Sequence, residues 1–267
     1  MSKAADNITP LVLTYNEEPN IGRTLDSLRW ARRVVVVDSK SSDRTEEIAR
    51  SYNNVHFAVR PFDNHRAQWH YGIADTGIDT PFVLALDADM QVPPDVVDEI
   101  EKTFLSGNYS GGLLPFAYQY CGQRLAGSLC PPQIRIFRTD AVQVAQSDHT
   151  QSFTVAGEVY RFRSCLIHDD RKSLERWVES QLRYQVLNEK AALAGKHPAL
   201  KTLLRRRGLM APIVGVMAYI KAGGPFYGAA ALRYAYERAI GESLFSLRLI
   251  NAALDGRTTK ARDNGNH

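Results

Sequence analysis

The chain has 267 residues, 44% of them hydrophobic and 23% charged, with a formal net charge of +4. This composition suits one large α/β domain, or a domain with an appendage, and excludes a disordered or fibrous chain. So small a charge excess argues against a dedicated nucleic-acid binder, and no nucleic-acid partner is expected. Cys121, Cys130 and Cys165 form no CxxC and no zinc spacing, and their number is odd. That pattern fits a reducing compartment with idle thiols. Residues 1–10 lack the basic-then-apolar layout of a signal peptide, so the chain is expected to face the cytosol.

Residues 8–14 read as a strand, and 17–30 as a helix with Ile21, Leu25 and Leu28 on one face. Val34-Val35-Val36-Val37 is the β-branched run of a strand buried on both faces. Ser42 or Asp43 is expected to cap a helix through Ser51, with Glu46 and Glu47 favourably placed in its first turn. A strand over 55–59, a helix over 66–75 and a strand over 82–87 follow, and Pro93-Pro94 opens a further helix. The alternation predicts a mostly parallel sheet with right-handed crossovers and helices on both faces. After Gly107, shorter strands are expected over 111–120, 133–137 and 158–167, which makes the second half mixed. Ser173 begins a helix carrying Leu174, Trp177, Val178 and Leu182 at helical spacing.

The tail changes character. Lys201, Arg205, Arg206 and Arg207 concentrate positive charge ahead of an apolar stretch over 209–220, too short for the roughly 20 residues that span a bilayer. Gly223-Gly224-Pro225 breaks it, and a helix over 226–254 sets Arg233/Glu237 and Arg238/Glu242 at i,i+4. Apolar faces flanked by Lys and Arg describe helices that lie on a membrane surface; the alternative is an ordinary C-terminal helical hairpin packed on the main domain. The expected division is an α/β domain over 1–198 and a helical, membrane-associating extension over 199–267.

The chemistry gathers at the strand ends. The first strand ends in Thr14-Tyr15-Asn16-Glu17-Glu18, the second in Asp38-Ser39-Lys40-Ser41-Ser42-Asp43, and the fourth in Asp87-Ala88-Asp89. In a parallel sheet these loops leave the same edge and converge on one crevice. Asp38 can accept from a base N–H or a ribose hydroxyl, and Tyr15 can flank the base. Asp87 and Asp89 supply hard oxygens for Mn²⁺ or Mg²⁺, which also prefers phosphate oxygens. There is no GxGxxG after the first strand and no P-loop, so phosphates need a metal and cationic side chains; Arg66 is one candidate.

Those three loops, in that order, resemble the family 2 glycosyltransferases of GT-A fold. Phe62-Asp63-Asn64-His65-Arg66-Ala67-Gln68-Trp69, Ile167-His168-Asp169-Asp170-Arg171 and Arg183-Tyr184 are similar to a narrower group of bacterial enzymes that glycosylate lipopolysaccharide core or related envelope glycans. The resemblance implies a Rossmann-like GT-A domain in which Asp38 meets the uracil or ribose of a UDP-sugar and Asp87 and Asp89 the ribose and metal; Thr14, Tyr15, Glu17 and Arg66 are further candidates to bind that donor. Asp89 and Asp87 would hold a divalent metal, with His168 as a further ligand or a structural strand-end histidine. It also implies inversion at the sugar, and hence a carboxylate base, for which Asp170 and Asp169 are the candidates. The acceptor would be a lipid-linked glycan, met by a protein attached peripherally to the cytoplasmic membrane face. One departure stands out: the family's glycine after the second-strand Asp is Ser39 here, followed by Lys40.

Trp69 and Trp177 read as core, and His65, His70 and His149 share no metal-ligand spacing. Gln133, Arg135 and Arg138 read as solvated strand residues, with contact to the acceptor as the alternative, and Glu158 is a weaker rival base. Two other functions compete. A nucleotidyltransferase would carry a glycine-rich basic loop after the first strand, which is absent; a catalytically silent membrane adaptor would have no need of Asp38, Asp87, Asp89 and Asp170.

Overall fold

A computed structural model describes residues 3–147 and 150–264; His149 lies outside the described residues. A short helix α1 (Lys3–Asn7) leads into β1 (Ile8–Thr14), followed by α2 (Ile21–Asp26), β2 (Val34–Asp38), α3 (Thr45–Arg50), β3 (Val55–Val59), α4 (His65–Ala74) and β4 (Phe82–Asp87). The four strands are parallel in the order β3-β2-β1-β4. The valine run explains why β2 lies inside the sheet. Val34 and Val36 join a core with Ile21, Leu25 and Leu28, whereas Val35 and Val37 join Leu11 and Trp69 on the opposite face. Burial on both faces requires such a continuous β-branched strand.

The second half is mixed, as its shorter strands predict. After β5 (Met90–Gln91) and α5 (Pro94–Lys102) come β6 (Gly111–Leu114), β7 (Phe116–Tyr120), β8 (Gln123–Arg124) and β9 (Gln133–Arg138). β9 is inserted antiparallel between β4 and β6. The expected strand over 111–120 is two strands in two sheets, parted at Pro115. A proline has no N–H for the ladder, so the chain changes sheets there. The hairpin β10 (Val142–Ser147)–β11 (Thr150–Val155) has no counterpart in the sequence reading. Its Phe153 packs edge-on against Trp69, which is fully buried. β12 (Val159–Arg161) completes the main sheet beside β6, and β13 (Leu166–His168) joins the second sheet in the order β5-β13-β7-β8.

The chain forms two compact units, 1–124 with 130–172, and 125–129 with 173 onward. The division thus falls at Lys172/Ser173, ahead of residue 198. In the second unit α6 (Leu174–Leu193), whose first turn is capped by Ser173 Oγ accepting from Arg176 N–H, packs on the last helix. After α7 (Ala199–Arg206) and α8 (Met210–Lys221), Gly223 takes φ 107°, a left-handed turn that favours glycine, before α9 (Gly228–Asn264). Arg205 does not join the exposed basic group. It is 8% exposed, bonds Glu242 at 2.8 and 2.9 Å and lies over Phe245. Glu242 therefore pairs with Arg205 rather than Arg238, while Arg233 bonds Glu237 as expected. No described helix is long and apolar enough to cross a membrane.

Candidate active site

The register places Thr14 opposite Asp38, and Leu13 opposite Asp87, so the three polar loops leave one edge of the sheet. Asp38 is 2% exposed; its Oδ1 accepts from Ser41 N–H at 2.7 Å and its Oδ2 from the Ser41 hydroxyl. The left-handed residue of this loop is Lys40 (φ 63°), one place after the family's glycine position, and Asn16 in the facing loop has φ 55°. Asn16 also holds the two loops together, through Ser41 Oγ at 2.7 Å and Ser42 N–H at 2.7 Å. Thr14 is buried with no hydrogen-bond partner for Oγ1, and Tyr15 is exposed.

The Asp-x-Asp turn is fastened from two sides. Thr24 Oγ1 on α2 donates to Ala88 O at 2.7 Å, and Ser27 Oγ accepts from Val92 N–H at 3.0 Å. From the other side β5 pairs antiparallel with β13, matching Met90 to His168, and Asp169 N–H donates to Asp89 O at 3.1 Å. Ala88 is buried between these attachments, which is why the middle residue is small. The two carboxylates then diverge. Asp87 Oδ2 accepts from Arg135 at 3.1 Å, whereas Asp89 Oδ2 lies 3.6 Å from His168 Nε2 and 4.0 Å from Lys172 Nζ. The His168 ring is stacked on Tyr118, with centroids 4.5 Å apart.

Asp169 and Asp170 also point to different surroundings. The Asp169 side chain is 2% exposed and accepts from Arg23 at 2.7 Å and Arg171 at 2.9 Å. Asp170 Oδ1 accepts from Asn20 Nδ2 at 2.8 Å, Lys172 N–H at 3.0 Å and Lys172 Nζ at 3.1 Å. Its Oδ2 accepts nothing from any described residue, and a quarter of the side chain is exposed. Burial pushes the Asp170 carboxyl up, but the Lys172 charge and the bonds from Lys172 and Asn20 outweigh it and hold the group below its ordinary range. Glu17 completes the cluster, bonded by Lys172 Nζ at 2.8 and 3.0 Å and by Asn20 at 2.8 Å. Burial, opposed by Lys172 and reinforced by Asp89, pushes Glu17 up to about 7.

Residues 11–149, more than half of the chain, match the family described as Glycosyl transferase family 2. The chain belongs to that family. It is similar to an uncharacterized glycosyltransferase of Rickettsia bellii (strain RML369-C), 34% identical over 102 residues, which is 38% of this chain and 34% of that one. A second, from Rickettsia felis (strain URRWXCal2), is 31% identical over 39% of this chain and 36% of its own length. The match thus spans about a third of these curated relatives' length. Among solved structures, TarS 1–349 of S. aureus in complex with UDP-GlcNAc shares 15% identity and a TM-score of 0.48, covering 94% of this chain and 92% of that one. Glucosyl-3-phosphoglycerate synthase of Mycobacterium tuberculosis shares 20% identity and a TM-score of 0.36 over 44% of this chain and 46% of its own.

Within this glycosyltransferase domain, no three His, Cys, Asp or Glu side chains among the described residues converge as a ready-made metal cage. Two donors nevertheless fit a divalent cation that draws its remaining ligands from a diphosphate. Asp89 Oδ1 is buried without any hydrogen-bond partner, and His168 Nε2 faces the same carboxylate. Asp87 is turned toward Arg135. Arg66 is exposed at the start of α4, where it lines a cavity of about 450 Å³ with Arg60, Asn64, His70, Tyr71 and Asp75. Glu158 is exposed and Arg138 pairs with Asp140, as surface residues do.

Three residues of the site escape a reading of the sequence. Asn20 bonds Glu17, Asp170, Arg23 and the Arg171 N–H at once. Arg135 is 4% exposed, not a solvated strand charge, because β9 is inserted beside β4 and places it against Asp87 and the Phe116 ring. Lys172 joins three carboxylates. The cue for Arg135 was its place inside an apolar strand, Ile134-Arg135-Ile136-Phe137, where a charge is costly unless paired.

Proposed function

We propose that the protein is an inverting glycosyltransferase moving a hexose from a nucleotide-sugar, most simply a UDP-sugar, to a lipid-linked or lipopolysaccharide-type glycan. Family membership supports glycosyl transfer and disfavours the nucleotidyltransferase. The observation that carries the catalytic reading is one cluster holding an ionised carboxylate with a free oxygen, Asp170 Oδ2, and a carboxylate with an orphaned buried oxygen, Asp89 Oδ1. Asp170 would take the proton of an acceptor hydroxyl as that oxygen bonds to the anomeric carbon, while the bond from that carbon to the diphosphate breaks. Asp89 and His168 would hold Mn²⁺ or Mg²⁺, which when bound offsets charge on the departing diphosphate. Asp38 and the loops joined by Asn16 would frame the nucleoside, and Asp87, fixed by Arg135, would meet the ribose.

The second unit would carry the protein to the cytoplasmic face of a membrane. Val216 and Ile220 on α8 and Phe226 in the following turn are 60, 69 and 92% exposed, and Lys201, Arg206 and Arg207 are exposed nearby in sequence. Large apolar side chains exposed together with cations are the composition of an interfacial surface. The enzymatic reading is tested with a panel of UDP-, GDP- and dTDP-sugars. Release of nucleoside diphosphate from one class, stimulated by Mn²⁺ and removed by EDTA, is expected; no release from any would favour the silent adaptor.

A further inference from the structure

Lys172 is the residue whose position the reaction above leaves unused. Its side chain is 17% exposed, and its Nζ lies 2.8 Å from Glu17, 3.1 Å from Asp170 and 4.0 Å from Asp89. These carboxylates come from three separate segments, the turns after β1 and β4 and the residues after β13. No other lysine or arginine among the described residues pairs with them. Arg23 and Arg171 are committed to Asp169, and Arg135 to Asp87. Asp89 and Asp170 repel each other in a half-buried site, and Glu17, pushed up to about 7, adds to that repulsion whenever it ionises, so the convergence of the three depends on a resident cation.

We propose that Lys172 is this cation: a positioning residue that ties Asp170 and Glu17 together and competes with the divalent metal for Asp89, so that it sets the metal affinity of the site. The inference rests on the reading of Asp89 and Asp170 given above. The ammonium offsets part of the cluster's negative charge at all times, and a divalent ion entering beside Asp89 meets a neighbouring positive charge. Removing that charge should tighten metal binding while loosening the base. A lysine serving only as a structural crosslink would, on removal, weaken both.

The test is Mn²⁺ affinity, read from the electron paramagnetic resonance of free Mn²⁺ with saturating UDP, in the full-length protein and in Lys172→Met. Tightening of roughly tenfold is expected from loss of one unit charge beside the site. Sugar transfer should fall by about tenfold or more through kcat, since Asp170 loses a ligand, and Lys172→Arg should restore both values to within about threefold. Lys172→Gln, uncharged but able to donate to Asp170, provides the same affinity readout should the methionine variant unfold. Mn²⁺ affinity unchanged or weakened in the folded neutral variants overturns the inference while the glycosyltransferase reading stands. A wild-type protein that neither binds Mn²⁺ with UDP nor transfers sugar overturns both.

Discussion

Asp169 and Asp170 are neighbours in sequence with opposite surroundings. The first is enclosed by two guanidinium groups; the second offers one oxygen to solvent. Asp169→Asn should therefore cost stability, about 2–3 kcal/mol in urea unfolding, because it leaves the Arg23 and Arg171 charges without their buried counter-ion. Asp170→Asn should cost under about 1 kcal/mol, since its site is partly hydrated. Equal losses for the two would contradict the separation of roles. The residues were legible in the sequence as candidates, the pair for the base and Asp87-Ala88-Asp89 for the metal turn, and the structure brings Asp170 and Asp89 to one lysine. Their ranking was not legible, because it depends on Arg23, 146 residues away from Asp169, and on Asn20, 150 residues from Asp170. Asp87 and Asp89 were likewise read as one unit, and only the antiparallel insertion of β9 turns Asp87 to Arg135.

At the scale of elements, the first half of the chain was readable because period and punctuation agree. β1, β3 and β4 fall at the expected residues, and β2 differs by one. Strong β-branched runs and clear turns leave local preference nothing to dispute. The second half was harder because its strands are short and exchange sheets, at Pro115 and again between β12 and β13. One carboxylate secures the latter crossing. Glu99 on α5 accepts from Arg163 N–H at 3.0 Å, Ser164 N–H at 2.8 Å and the Tyr160 hydroxyl at 2.9 Å. Burial pushes Glu99 up, but the bonds from Arg163 and Ser164 outweigh it and its folded-state value lies below the ordinary 4.5. A lowered folded value means that this stability is present above the unfolded value and lost as pH falls through the folded one. Glu99→Gln should lower stability by about 1–2 kcal/mol at neutral pH and flatten the acid limb of the stability profile below about pH 4.5. An unchanged acid limb in the variant would show that the charge at Glu99 is not what secures the crossing.

At the scale of the molecule, the chain divides where its chemistry ends. Lys172 closes the α/β unit and Ser173 opens the helical one. A sequence reading places the change later, near residue 198, because α6 carries an ordinary amphipathic pattern and nothing local shows that it packs on α9. The bond from Arg248 to Glu189 at 2.7 Å spans 59 residues. The exposed apolar group of the second unit leads to a membrane test on the full chain. Sedimentation with anionic vesicles should fall several-fold in Ile220→Glu/Phe226→Glu, with little change in melting temperature, since both residues face solvent. Equal sedimentation of variant and wild type would remove the membrane from the account. For the chemistry, the proposal is that an acceptor hydroxyl loses its proton to Asp170 in a site completed by Asp89. It is tested by kcat for sugar transfer by Asp170→Asn, in Mn²⁺ and with the donor that the wild type uses. A loss of about 10²-fold or more is expected, with a folded protein and donor affinity within a few-fold of wild type. Transfer at the wild-type rate would contradict it.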